Sequence, residues 1–138
     1  MRWLPFALAS AVASALTAIL AKLGVEGLPS TLATAIRTVV VVVFAWGMAV
    51  ALGEQRTLST VPTRSWIFLL LSGIGTGTAW LAYFRALQLG PASRVAPIDK
   101  LSLPLTIVFA AVVLGEPMTW RVVVGVTLMT IGALLTLG

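Results

Sequence analysis

Apolar residues run almost unbroken through five stretches of this chain, at about residues 3–23, 31–52, 66–89, 92–114 and 119–137, with polar residues collected between them. At a rise of ~1.5 Å per residue, each stretch covers the ~30 Å hydrocarbon core of a bilayer. None alternates apolar and polar residues with period two, and backbone groups in lipid must be paired internally, so the pattern predicts helices and not barrel strands. The connections are short: Gly24 to Pro29, Gly90-Pro91, and Gly115-Glu116-Pro117. The long polar segment from Gly53 to Arg64 reads as a loop. Trp3, Trp66 and Trp120 stand at span ends, where interfacial aromatics belong. The expected fold class is an all-α membrane protein, with five transmembrane helices in a compact bundle and a single domain over residues 1–138.

Arg2, the apolar run behind it and Ala13-Ser14-Ala15 imitate a signal peptide with its cleavage site. The apolar run continues to Leu23, however, and another span follows, so a retained helix is expected. The proline content singles out one span. The fourth reads Pro-Ala-Ser-Arg-Val-Ala-Pro-Ile-Asp-Lys-Leu-Ser-Leu-Pro from Pro91, and Pro97 and Pro104 each remove a backbone donor and crowd the carbonyl four residues earlier. This helix should be kinked or broken there.

Composition agrees with a membrane location. Of 138 residues, 59% are hydrophobic and 9% charged, far less charge than a soluble surface carries. The net charge of +5 comes from basic residues scattered singly, with no cluster and no interleaved aromatics, which argues against nucleic acid as a partner. With neither cysteine nor histidine, the chain has no disulfides, thiol chemistry or His/Cys metal sites, and four separated carboxylates suggest no catalytic pair. No cofactor and no enzymatic activity are expected. The Gly73-Ile-Gly75-Thr-Gly77 run lacks the glycine spacing of a nucleotide loop and lies inside a span. Small residues four apart (Ala7 and Ala11, Ser10 and Ser14, Gly73 and Gly77) suit close helix packing within the chain. Gly125 and Gly132 on the last helix suit an outer face or a dimer contact.

Charges inside the spans point to function, because an ionisable group in hydrocarbon is costly and tends to mark a pathway or site. Asp99, Lys100 and Ser102 lie between the two prolines, with Lys100 about eight residues into the span, ~12 Å deep. A proline-interrupted helix bearing charge at that depth is the sequence pointer to a transporter binding site. Arg37, about two turns into the second span, and Arg85, about one turn from the end of the third, enter from the same side. Arg37 could pair with Asp99 or bind substrate. Lys22 ends the first span and can snorkel to the interface. Trp80 and Tyr83, three apart, and Ser14 and Thr17 are further candidates to line a cavity. Three embedded cations, Arg37, Arg85 and Lys100, against Asp99 favour a substrate with a carboxylate or phosphate over a cation. The alternative role for Asp99 and Lys100 is charge neutralisation within the bundle.

Five spans place Arg2, Arg56, Arg64 and Arg121 on one side of the membrane, and Lys22 and Arg94 near the surface on the other. So small a bias leaves two readings open. Some copies insert each way and pair as an antiparallel homodimer, making each chain one half of an inverted repeat. Otherwise a small bias or a partner protein fixes one orientation.

The order Tyr83-Phe84-Arg85-Ala86-Leu87-x-x-Gly90-Pro91-Ala92-Ser93-x-Val95-Ala96-Pro97, followed by Leu114-Gly115-Glu116 and a glycine-bearing last helix, resembles the EamA domain of the drug/metabolite transporter superfamily. The resemblance covers essentially the whole chain, in a single-domain, five-helix form where most relatives carry two such domains. It implies an inverted-repeat bundle in the inner cell membrane that moves small metabolites, such as amino acids, by alternating access. The small multidrug branch uses a glutamate in its first helix for cationic drugs; the first helix here has none. If protons are the coupling ion, Asp99 is the deep carboxylate to carry them. Glu116 reads as a helix-end residue. Small superfamily members that resemble lipid-carrier flippase subunits supply the alternative, a non-transporting membrane subunit of a hetero-oligomer.

Overall fold

The computed structural model describes residues 3–138, so Arg2, counted above among the charges of one membrane side, lies outside the described residues. The elements are α-helices α1 (Leu4–Gly24), α2 (Ser30–Ala51), α3 (Thr63–Leu89), α4 (Ala92–Asp99), α5 (Ser102–Leu114) and α6 (Trp120–Leu135), with a 3-10 helix at Glu54–Thr60 between α2 and α3. The all-α class read from the apolar runs is the class observed, and no strand forms among the described residues. Four helical stretches are long and apolar enough to cross a membrane: α1, α2, α3 and the α4–α5 run. The fifth, α6, is a shorter apolar helix of 16 residues. It measures ~24 Å at helical rise, less than the span of 119–137 expected from its apolar run.

The chain divides into two units. One joins α1 up to Ile19 with Leu89–Gly138, and the other is Leu20–Gln88. In the first unit α6 packs against both α4 and α5, and Ala133 on α6 is buried. Thr119 caps α6, its hydroxyl accepting from the Val122 N–H at 3.4 Å and so satisfying one of the donors a helix start leaves over. α5 ends at Gly115, whose φ of 69° brings the Glu116 N–H back to the Ala110 carbonyl at 3.2 Å. That left-handed closure favours glycine and makes Glu116 a helix-end residue.

The fourth span is divided where Asp99 and Lys100 sit. Pro104 lies in the first turn of α5, where its missing N–H would have reached the Lys100 carbonyl. That carbonyl instead accepts from Leu103 N–H at 3.0 Å, three residues on, and Leu101 N–H similarly reaches Ile98 at 3.0 Å. The chain therefore passes from α4 to α5 through a tightened turn. Pro97 lies inside α4 without ending it.

In the second unit, the segment read as a polar loop forms the 3-10 helix, packed against α2. Gly53 adopts a left-handed φ of 73° to leave α2. The Thr57 hydroxyl then donates to the Glu54 carbonyl at 2.8 Å and that of Thr60 to the Thr57 carbonyl at 2.7 Å. These three-residue closures favour the tighter helix. Pro62 forces Val61 into extended backbone and ends it.

Buried apolar side chains in this unit gather where α1 ends, α2 begins and α3 ends: Val25, Ala33, Phe84 and Leu87, with Thr34 beside them. Elsewhere the long apolar side chains of both units face outward, as expected where lipid is the solvent. Several threonine hydroxyls within the spans are satisfied on their own helix. Thr38, Thr76, Thr106, Thr127 and Thr130 each donate to the carbonyl four residues back. The small-residue spacing does not produce the expected packing within α3. No atom lies within 4 Å of where a Cβ would stand at Gly73, Gly75 or Gly77, and the same holds for Gly125 and Gly132 on α6.

Candidate functional site

Two groups of the expected residues form, one in each unit. In the unit Leu20–Gln88, Arg37 on α2 meets the aromatic face of α3. Its Cζ lies 3.2 Å from the centroid of the Trp80 ring and 5.9 Å from that of Phe84. At 3.2 Å the guanidinium and the indole are nearly face to face, because a tilted guanidinium, with C–N bonds of about 1.33 Å, would drive a nitrogen into the ring. Trp80 and Phe84 are four apart and so share one side of α3, with Tyr83 adjoining them. The three rings interlock: Trp80 meets Tyr83 edge-on at 5.6 Å and Phe84 edge-on at 5.3 Å. Trp80 is thereby held by its own helix in the position that receives the cation.

The depth of Arg37 matters. Helix α2 starts at Ser30 and α3 stops at Leu89, at the same end of this unit. From that end Arg37 is seven residues in (30 to 37), ~10 Å deep. Trp80 is nine residues in (80 to 89), ~13 Å deep, and Phe84 five, ~7 Å. The guanidinium is nearer Trp80 than Phe84, so it sits at the deeper of these two rings of α3.

Arg85 has a different role. Its Nη1 donates to Gln88 Oε1 at 3.3 Å, and the Gln88 Nε2 donates in turn to the carbonyls of Val25, at 3.3 Å, and Leu28. The Lys22 Nζ donates to the Leu87 carbonyl at 2.6 Å, capping the last turn of α3. Lys22 and Gln88 together fasten the α1–α2 connection to the end of α3.

In the other unit, Asp99 and Lys100 form an ion pair at 3.2 Å, with side chains 40% and 55% exposed, at the turn between α4 and α5. Ser102 begins α5, and its carbonyl receives the Thr106 hydroxyl at 2.8 Å. Arg37, Trp80 and Tyr83 thus come together as one group, and Asp99 and Lys100 as another with Ser102 two residues on. Asp99 takes Lys100 as its ionic partner, while Arg37 is held by rings.

Phe84 and Gln88 were not singled out by the sequence reading. Phe84 stands four residues after Trp80, the spacing that shares a helix face. Gln88 is a polar residue three after Arg85 in the last turn of an apolar span.

The sequence model of the EamA-like transporter family matches residues 1–138. The chain belongs to that family. A relative from Sinorhizobium sp., named "Uncharacterized transporter in cobO 3'region", is 47% identical over 133 residues, which cover 96% of this chain and 94% of the relative. No solved structure matches. This EamA-like protein is accordingly a multi-pass membrane transporter, and its embedded charges are to be read in that light.

Proposed function

We propose that this EamA-like protein is a secondary transporter of the inner cell membrane that moves small amino-acid-like or anionic metabolites by alternating access. The observation that carries this reading is Arg37, a cation ~10 Å along from the start of its helix and stacked on an aromatic face. The divided fourth span adds to it. A helix opened at Lys100–Leu101, bearing the Asp99–Lys100 pair, offers charged side chains at depth. In this reading Arg37, Trp80 and Tyr83, with Arg85 nearby, are the substrate-contacting residues of one unit, and Asp99, Lys100 and Ser102 are those of the other. Pro97 and Pro104 keep the fourth span divided. Two copies of the single five-span domain work together as an antiparallel homodimer, each one inverted half. The apolar faces of α3 and α6, with their glycines unused within the chain, support a second copy there.

The test is reconstitution of the purified chain alone into liposomes, with flux of labelled amino acids and small organic acids driven by a substrate gradient. One cysteine added after Gly138 reports orientation by labelling with an impermeant reagent before and after lysis. Saturable flux with labelling from both sides is the expected result. Absence of flux with a single orientation would replace this reading with the subunit of a hetero-oligomer.

A further inference from the structure

Resting on the transporter reading above, we propose that Arg37 is the anchor for an anionic group of the substrate, a carboxylate or phosphate received on its guanidinium edge, with Trp80 as its backing. Guanidinium stacking uses the flat face of the group. Its five N–H donors lie in the plane and point around its rim, so a guanidinium lying on Trp80 keeps a two-pronged edge for a planar carboxylate. The aromatic backing does two further things. It offsets desolvation of the cation by attraction to the ring, and it fixes the guanidinium plane, so the edge is preorganised.

Lys22 and Arg85, near the same end, hydrogen-bond neutral oxygens, the Leu87 carbonyl and the Gln88 amide, and keep their charges, so this end of the unit is cationic and favours an anion on Arg37. Trp80 lies against the guanidinium face and Tyr83 meets Trp80 edge-on, so aromatic surface stands beside the anchored group.

The experiment uses the purified chain in phosphatidylcholine nanodiscs and three probes of one shape: phenylacetate, phenyl phosphate and phenethylamine. Binding is read by calorimetry, independently of flux. Phenylacetate and phenyl phosphate are each expected to bind at least about tenfold more tightly than phenethylamine. Arg37→Lys, which keeps the charge and loses the fork, should weaken phenylacetate about tenfold. Trp80→Leu should weaken it about fivefold while leaving helical content unchanged, and it carries the test if Arg37→Lys does not fold. Undiminished binding in the folded variants, or preference for phenethylamine, would overturn the assignment. Loss of phenylacetate binding when phosphatidylglycerol is added would overturn it too, giving Arg37 to a lipid phosphate. Binding that follows these expectations with no liposome flux would remove the transporter reading and leave the anchor standing.

Discussion

The Lys22 ammonium donates to the main-chain carbonyl of Leu87 at 2.6 Å, joining the end of α1 to the end of α3 across 65 positions of sequence. The last carbonyls of a helix have no partner within it, and Leu87 itself is fully buried, so the bond fills a need that water cannot easily meet here. Replacing Lys22 with Met keeps the stem and removes the donor. The expected cost is about 1–2 kcal/mol of stability, read as a lowered unfolding midpoint in detergent, with substrate affinity unchanged. A variant as stable as the parent would mean that the bond contributes nothing net.

Gln88 makes a parallel attachment. Arg85 holds its carbonyl oxygen, which turns the amide nitrogen to the Val25 and Leu28 carbonyls. Gln88→Ala should release the α1–α2 connection. Hydrogen exchange of the backbone amides at Val25 and Leu28 is expected to quicken by about tenfold, while exchange in the middle of α2 stays as it was.

Pro104 sets the division of the fourth span. Pro104→Ala restores the N–H that can reach the Lys100 carbonyl, so α4 and α5 should merge into one helix. Because the chain has no native cysteine, spin labels at Val95→Cys and Val108→Cys can report the change. A single distance fitting a straight helix is expected for the variant, together with a drop in flux of about tenfold. A straight helix with full flux would separate the division from transport.

The Asp99–Lys100 pair is exposed on its own unit, and such pairs contribute little to stability. Asp99→Ala and Lys100→Ala should therefore leave unfolding midpoints nearly unchanged while each lowers flux by about tenfold or more. Full flux in both variants would remove this pair from the mechanism.

The helices were legible because run length alone reports them: the ends of α1, α2 and α3 fall within about three residues of the apolar stretches. Pro97 and Pro104 announced an irregular fourth span, but the position of the turn, at Lys100–Leu101, depends on which proline stands at a helix start, where its missing donor does no harm. The 3-10 helix at Glu54–Thr60 was not legible as anything but a polar loop. Its hold comes from threonine hydroxyls returning to carbonyls three residues back, a local bond with no hydrophobic period. Arg37 and Trp80 were each visible as single candidates. Their stacking was not, because it depends on the relative rotation of α2 and α3, which no periodicity within one helix records.

The Arg37–Trp80 stack also has a history in time. The ribosome delivers Arg37 roughly forty residues before the indole that receives it, and α2 enters the bilayer carrying an unsheltered cation. An arginine at depth costs a helix about 2.5–3.5 kcal/mol at insertion, which the valine run Val39–Val43 helps to offset. Until α3 arrives, that guanidinium is best satisfied by water and headgroups at the membrane border. Shelter for that guanidinium comes only with the Trp80 face of α3, so the stack ties the second span to the third.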